Sequence, residues 1–167
     1  MTIYLCGFMG CGKSTIGKLL AQKLGMRFTD LDDYIENSEG MSIPDIFSEK
    51  GEPYFREKEA QAVKELSAEN SVVACGGGTI INDNSARIAR ENGTVIFLDI
   101  PFGECYERIK DDPHRPLVVN NTKEKLHEIF STRHDIYMKN STLAVDADKS
   151  PSLLCEDIIS NIKAPRK

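Results

Sequence analysis

Apolar residues cluster in short continuous runs at positions 3–6, 72–75, 95–98 and 143–145, with a shorter extended piece at 27–30. Runs of this length with no polar alternation are what strands look like when both faces of their sheet are covered. Between them the period changes to that of a helix. Ile16, Leu19, Leu20 and Leu24 fall on one stripe in a helix that starts near Thr15, and further helical stretches start near Asp33, Ser42, Glu52, Asn84, Phe102, Thr122 and Ser150. Gly25 stands where a left-handed residue ends the first helix, and Pro44 and Pro151 stand in first-turn positions. Buried strands alternating with helices predict an α/β fold of three layers, with a five-stranded parallel sheet between two layers of helices. At 167 residues the chain fits one domain spanning 1–167, large enough to bury about 70% of its unfolded surface.

The segment after the first strand carries the chemistry. Gly7-Phe8-Met9-Gly10-Cys11-Gly12-Lys13-Ser14 satisfies the phosphate-loop pattern Gly-x-x-x-x-Gly-Lys-Ser/Thr at every constrained position. Chance would produce such a match in roughly 1 chain in 200 of this length, and the strand before it and helix after it make coincidence rarer still. Residues 7–15 are therefore read as a P-loop. Its glycines let backbone N–H groups curl around phosphate oxygens at the positive end of a helix. Lys13 adds a mobile charge, and Ser14 offers a hydroxyl to the Mg²⁺ that a nucleoside triphosphate brings with it.

Composition narrows the class. Lys plus Arg number 21 against 26 Asp plus Glu, for a net charge of -5, and no dense basic block is present, so a nucleic-acid partner is not expected. The first strand begins directly after Met1, leaving no room for a signal peptide, and no apolar run approaches a membrane span. A cytoplasmic protein is expected. The five cysteines are scattered with no Cys-x-x-Cys pair, the usage of reduced thiols rather than of disulfides or zinc. Cys11 is the one whose setting would favour a thiolate, although a small loop residue is the simpler reading. Nothing suggests a dedicated subunit interface, so a monomer is expected. The last four residues, 164–167, are expected to form a mobile tail.

In an open parallel sheet, ligands bind beyond the carboxyl ends of the strands. After the second strand stand Asp30, Asp32 and Asp33, close to the expected Mg²⁺ and γ-phosphate; one of them, most simply Asp33, serves as a helix cap. After the third strand come Gly76, Gly77 and Gly78, which leave backbone bare for a small substrate. Arg133 shares the inward stripe of its helix with Leu126, Ile129, Phe130 and Tyr137, so it needs either an anionic ligand or an internal carboxylate. Arg56 lies one turn from Glu59, which on spacing alone reads as a surface ion pair. His114, His127 and His134 have no metal-ligand spacing, and solvated positions account for them. The polar, proline-containing stretch from Asp111 to Asn121 interrupts the helices; a plain loop fits, and in a phosphotransferase a mobile lid at about 110–122 fits better. The sum is a small-molecule kinase, and no Asn-Lys-x-Asp element for guanine is present.

These residues resemble the shikimate kinase family over nearly the whole chain. The likeness rests on the P-loop, on Phe28-Thr29-Asp30-Leu31-Asp32, and on Ile46-Phe47 through Gly51-Glu52 to Phe55-Arg56 and Glu59. It continues through Gly76-Gly77-Gly78-Thr79, Arg115-Pro116-Leu117, and Arg133 with Tyr137. The resemblance implies a nucleoside-monophosphate-kinase-like P-loop fold and transfer of the γ-phosphoryl of ATP to the 3-hydroxyl of shikimate, in the route to chorismate and the aromatic amino acids. It implies a shikimate-binding helical region at about 31–62, with Asp32 holding the accepting hydroxyl. Arg56 and Arg133 would take the carboxylate, with Glu59 and the three glycines also in the site and Phe47, Phe55 and Pro116 as its walls. On the nucleotide side it implies Gly10, Cys11, Gly12, Lys13, Ser14 and Thr15 around the phosphates and Arg115 swinging over them. Arg108 would lie near the adenine with Lys149 to Pro151, and Asp30 would order the Mg²⁺ shell through water. Two departures bear on the nucleotide: the lid stretch Asp111-Asp112-Pro113-His114 is acidic, and Lys149 stands where arginine is commoner. Another small-acceptor kinase, for gluconate or a nucleoside monophosphate, or a nucleotide-binding module without turnover, is the alternative.

Overall fold

The computed structural model describes residues 1–164; positions 165–167 of the expected tail lie outside the described residues. Five strands, β1 (Thr2–Cys6), β2 (Arg27–Asp30), β3 (Ser71–Ala74), β4 (Gly93–Asp99) and β5 (Leu143–Asp146), form one sheet in the order β2-β3-β1-β4-β5. Every pairing is parallel. The expected strands are all present. Successive residues of the central strands face opposite layers: Ile3, Leu5, Val72, Ile96 and Leu98 point into one core, and Tyr4, Cys6, Val73, Val95 and Phe97 into the other. This is why the runs are apolar throughout.

The first core is closed by α1 (Lys13–Leu24) and α9 (Pro151–Lys163), through Ile16, Leu20, Leu154 and Ile158. The second is closed by α2 (Leu31–Glu39), α3 (Ile43–Lys50), α4 (Glu52–Leu66) and α5 (Asp83–Asn92), through Leu31, Ile46, Val63 and Ala86. The remaining helices are α6 (Phe102–Ile109), α7 (Pro116–Val119) and α8 (Lys123–Asn140). Ser42, Thr122 and Ser150 cap α3, α8 and α9 with their hydroxyls, and Gly25 closes α1 at φ 65°.

The fold corrects the sequence reading in three places. The second helix begins at Leu31, and its cap is Asp30 rather than Asp33: the Asp30 Oδ1 accepts from the N–H groups of Asp32 and Asp33. Within the expected lid, residues 116–119 form the short helix α7, started by Pro116. His134 is not simply solvated, since its Nε2 lies 3.1 Å from Asp99 Oδ1.

Strand order also sets the place of the site. The adjacent strands β1 and β3 send their following helices to opposite faces, α1 into one core and α5 into the other. A crevice opens between such diverging connections at the carboxyl edge. The loop after β1 is the P-loop, and the turn after β3 is Gly76-Gly77-Gly78.

Candidate active site

The phosphate loop leaves β1 at Cys6 and enters α1 at Lys13. Gly10 at φ 81° and Gly12 at φ 95° occupy the left-handed region, and a Cβ at Gly10 would sit 2.9 Å from the Cys105 carbonyl oxygen. Only glycine meets both demands at position 10. Like α4, α6 and α7, α1 has no side-chain cap; it also has no acid in its first turn, and it opens on Lys13. Its first amides therefore face outward, an anion site by construction. The Lys13 ammonium donates to the carbonyls of Gly7 and Phe8 at 2.7 and 3.2 Å, which stations its charge over the loop.

A cavity of about 620 Å³ opens above this loop. Gly10, Cys11, Gly12, Lys13, Ser14 and Thr15 form one wall, and Asp30, Asp32, Gly76 and Gly77 another. Arg108, Arg115, Lys149 and Pro151 close the rest, so every residue assigned to the nucleotide borders one space. Arg108 donates to the Gly10 carbonyl over 2.9 Å. Arg115 is held by Asp112, its Nε donating to Oδ2 at 3.0 Å, and Lys149 pairs with Asp157 at 2.5 Å. Sequence reasoning missed Ile16, Ile109, Ala147 and Leu154, which together with Met9 of the P-loop give the cavity an apolar side. It also missed Cys75, which follows β3 directly and could have been found by the strand-end rule. Burial pushes the Cys75 and Cys6 thiols up, so both are inert side chains.

Asp30 divides its carboxylate between two duties. Oδ1 caps α2, and Oδ2 accepts from the Ser14 hydroxyl at 3.2 Å. Two hard oxygen donors this close suit a Mg²⁺ ion. No group of three or more His, Cys, Asp or Glu among the described residues could hold a metal, so the other ligands would have to come from phosphate and water. Asp32, one turn into α2, has its carboxyl pushed up to about 6, first by burial and then by the negative charges of Asp30 and Glu59, with Lys13 opposing.

The glycine turn brings the acceptor-side residues together. A Cβ at Gly76 would stand 2.7 Å from Asp32 Oδ1, one at Gly77 3.4 Å from an Arg133 guanidinium nitrogen, and one at Gly78 2.6 Å from an Arg56 guanidinium nitrogen. Three consecutive missing side chains thus face a carboxylate and two guanidiniums delivered by α2, α8 and α4. Arg56 and Arg133 do not line the large cavity itself; they lie along the same turn, past Gly76. Arg133 is half-buried and has no carboxylate within 4.0 Å among the described residues, so the internal ion pair that would have explained it is not formed.

Glu59, expected in the acceptor site, stands behind Arg56. It is 1% exposed, with Oε1 accepting from Arg56 at 2.8 Å and Oε2 from the Thr79 hydroxyl at 2.7 Å. The Arg56–Glu59 pair is therefore no surface ornament: a buried carboxylate holds an arginine that remains partly exposed. Phe55 is buried, its ring 4.8 Å from that of Phe47 and 5.2 Å from the Arg56 guanidinium carbon. Phe47, Phe55 and Arg56 form one continuous wall, while Pro116 stands exposed at the start of α7.

Several known proteins are similar to this chain over nearly its whole length. The family model described as shikimate kinase matches residues 9–163. A shikimate kinase of Persephonella marina is 47% identical over 162 residues, covering 96% of this chain and 98% of the relative. Among solved structures, the shikimate kinase of Aquifex aeolicus superposes with a TM-score of 0.85 at 40% identity, covering 98% of this chain and 96% of that one. That of Acinetobacter baumannii in complex with shikimate superposes with a TM-score of 0.87 at 34% identity, covering 96% and 92%.

Proposed function

The chain belongs to the shikimate kinase family and so phosphorylates the 3-hydroxyl of shikimate with ATP; we propose that it does so through the residues gathered around the glycine turn. The observation that carries this assignment is the facing of Gly76, Gly77 and Gly78 by Asp32, Arg133 and Arg56 in turn, directly beside the phosphate loop. A ring carrying one carboxylate and several hydroxyls matches that set: two guanidiniums grip the acid while a carboxylate takes a hydroxyl.

Asp32 accepts a hydrogen bond from the 3-hydroxyl and aims it at the γ-phosphorus. With a carboxyl pushed up to about 6, it remains largely ionised at neutral pH and is a stronger base than an ordinary aspartate. Transfer of this kind has a loose transition state, so alignment and charge neutralisation supply most of the rate. The amides of α1, Lys13 and Arg115 supply positive charge to the moving group. Ser14 and Asp30 would hold Mg²⁺, Asp30 through water, and the ion would supply neutralisation of phosphate charge. Arg108 and Lys149 to Pro151 border the base, and residues 110–122 act as a lid that carries Arg115 and Pro116 over the bound substrates. Phe47 and Phe55 wall the acceptor within residues 31–62.

No helix among the described residues is long and apolar enough to cross a membrane. We take the enzyme to be cytoplasmic, monomeric and of one domain. An assay of ADP formation with shikimate, gluconate, a nucleoside monophosphate or no acceptor tests the reading. Shikimate-dependent turnover supports it, and equal rates with any other acceptor, or without one, refute it.

A further inference from the structure

One buried polar side chain outside the groups assigned above touches the glycine turn. Tyr137 is 1% exposed, and its phenol donates to the Gly77 carbonyl oxygen over 2.6 Å. Its ring stacks on Phe97 of β4 with centroids 5.3 Å apart. A phenylalanine would fill that stack equally well, whereas a hydroxyl inside it is costly unless bonded. The oxygen is therefore explained by its bond and not by packing.

The partner in that bond is the middle glycine, the one whose missing Cβ faces Arg133. Arg133 is four residues before Tyr137 on α8, so one helical turn presents both the guanidinium and the latch. The two groups are close in space: burial raises the phenol well above the usual tyrosine range, and the neighbouring Arg133 charge opposes that rise.

We propose that Tyr137 is a positioning residue of the acceptor site, latching the Gly77 carbonyl to the α8 turn that carries Arg133 and so fixing the gap between the turn and the guanidinium. This rests on the reading of Arg133 as a receiver of the acceptor's carboxylate. The bond holds the middle glycine of the turn that meets Arg133, so its effect is expected on the acceptor.

Tyr137→Phe removes the oxygen and keeps the stack. Loss of one buried hydrogen bond is small against the stability of a domain of this size, so the variant folds. Its KM for shikimate should rise about 5- to 150-fold, the range for stranding a buried carbonyl, with KM for ATP within about twofold. Asn140→Ala is the comparator. It removes another α8 tie, from Asn140 Nδ2 to the Ile80 carbonyl at 2.9 Å, and should leave KM for shikimate unchanged. In an Arg133→Ala background, Tyr137→Phe should have much less effect than alone, since coupled residues are not additive. A KM for shikimate within twofold of wild type, an equal rise for ATP, full additivity with Arg133→Ala, or failure of Tyr137→Phe to fold would each overturn the proposal. Arg133→Ala alone checks the premise: an unchanged shikimate KM there would refute the role of Arg133 itself, independently of the latch.

Discussion

Gly78→Ala adds one methyl group at the point where the acceptor site is tightest. The new Cβ would lie 2.6 and 2.7 Å from the two terminal guanidinium nitrogens of Arg56 and 3.0 Å from its central carbon. Non-bonded contacts settle near about 3.5 Å, so the guanidinium must retreat by roughly 1 Å. The backbone does not resist the change, because Gly78 is not among the glycines at positive φ. The atoms that yield are the end of a flexible side chain, so unfolding free energy should change by less than about 1 kcal/mol. Arg56 would keep its tie to Glu59 while losing its alignment with the acceptor. A charged hydrogen bond is worth about 1.5 to 3 kcal/mol, so KM for shikimate should rise about 10- to 100-fold while KM for ATP stays within about twofold. Gly77→Ala is the graded control, since its Cβ would meet Arg133 at 3.4 Å and should cost a few-fold at most. Steady-state ADP formation at saturating ATP with shikimate titrated, beside thermal unfolding, reads both quantities. Equal shikimate KM values for the two variants, both close to wild type, would refute the reasoning.

Asp32→Asn should separate stability from catalysis. The folded carboxyl titrates at about 6 against an ordinary 3.8, so the folded state holds its proton longer and stability falls as pH rises from about 4 to about 6. The ligand-free variant should therefore gain roughly 1 to 3 kcal/mol over wild type at pH 8 and little at pH 4, while turnover falls about 10²-fold or more; a destabilised variant at pH 8 would contradict this. Arg133→Ala should weaken shikimate binding by about 2 to 5 kcal/mol in a folded protein, as read by calorimetry, and lost folding with unchanged affinity would reverse the assignment. Asp30→Asn keeps an equally good helix cap, so unfolding should shift little while the Mg²⁺ concentration for half-maximal activity rises at least about tenfold. An unaltered Mg²⁺ requirement would remove Asp30 from the metal site.

The strands and the phosphate loop were legible because their signals are local. Runs such as Ile3 to Cys6 are apolar on both faces, and the spacing of Gly7, Gly12 and Lys13 is fixed by the shape of a phosphate. The start of α2 was misplaced because β2 passes into it with no intervening loop, so Asp30 ends the strand and caps the helix at once. The helix α7 is four residues among prolines and polar groups, too short to show a period. Spacing revealed the Arg56–Glu59 pair, but the burial of Glu59 depends on Thr79, which no local pattern links to it. Arg133 and Gly77 are likewise distant in sequence, and only the packing of α8 across the sheet edge brings them together.

A crystal structure with shikimate, Mg²⁺ and a non-hydrolysable ATP analogue bound together tests the central claim most directly. The account predicts the shikimate carboxylate between Arg56 and Arg133, its 3-hydroxyl within hydrogen-bonding reach of Asp32, and that oxygen about 3 to 3.5 Å from the γ-phosphorus, the distance of a near-attack pose. A shikimate molecule seated away from the glycine turn, or turned so that its carboxylate meets neither arginine, would contradict it.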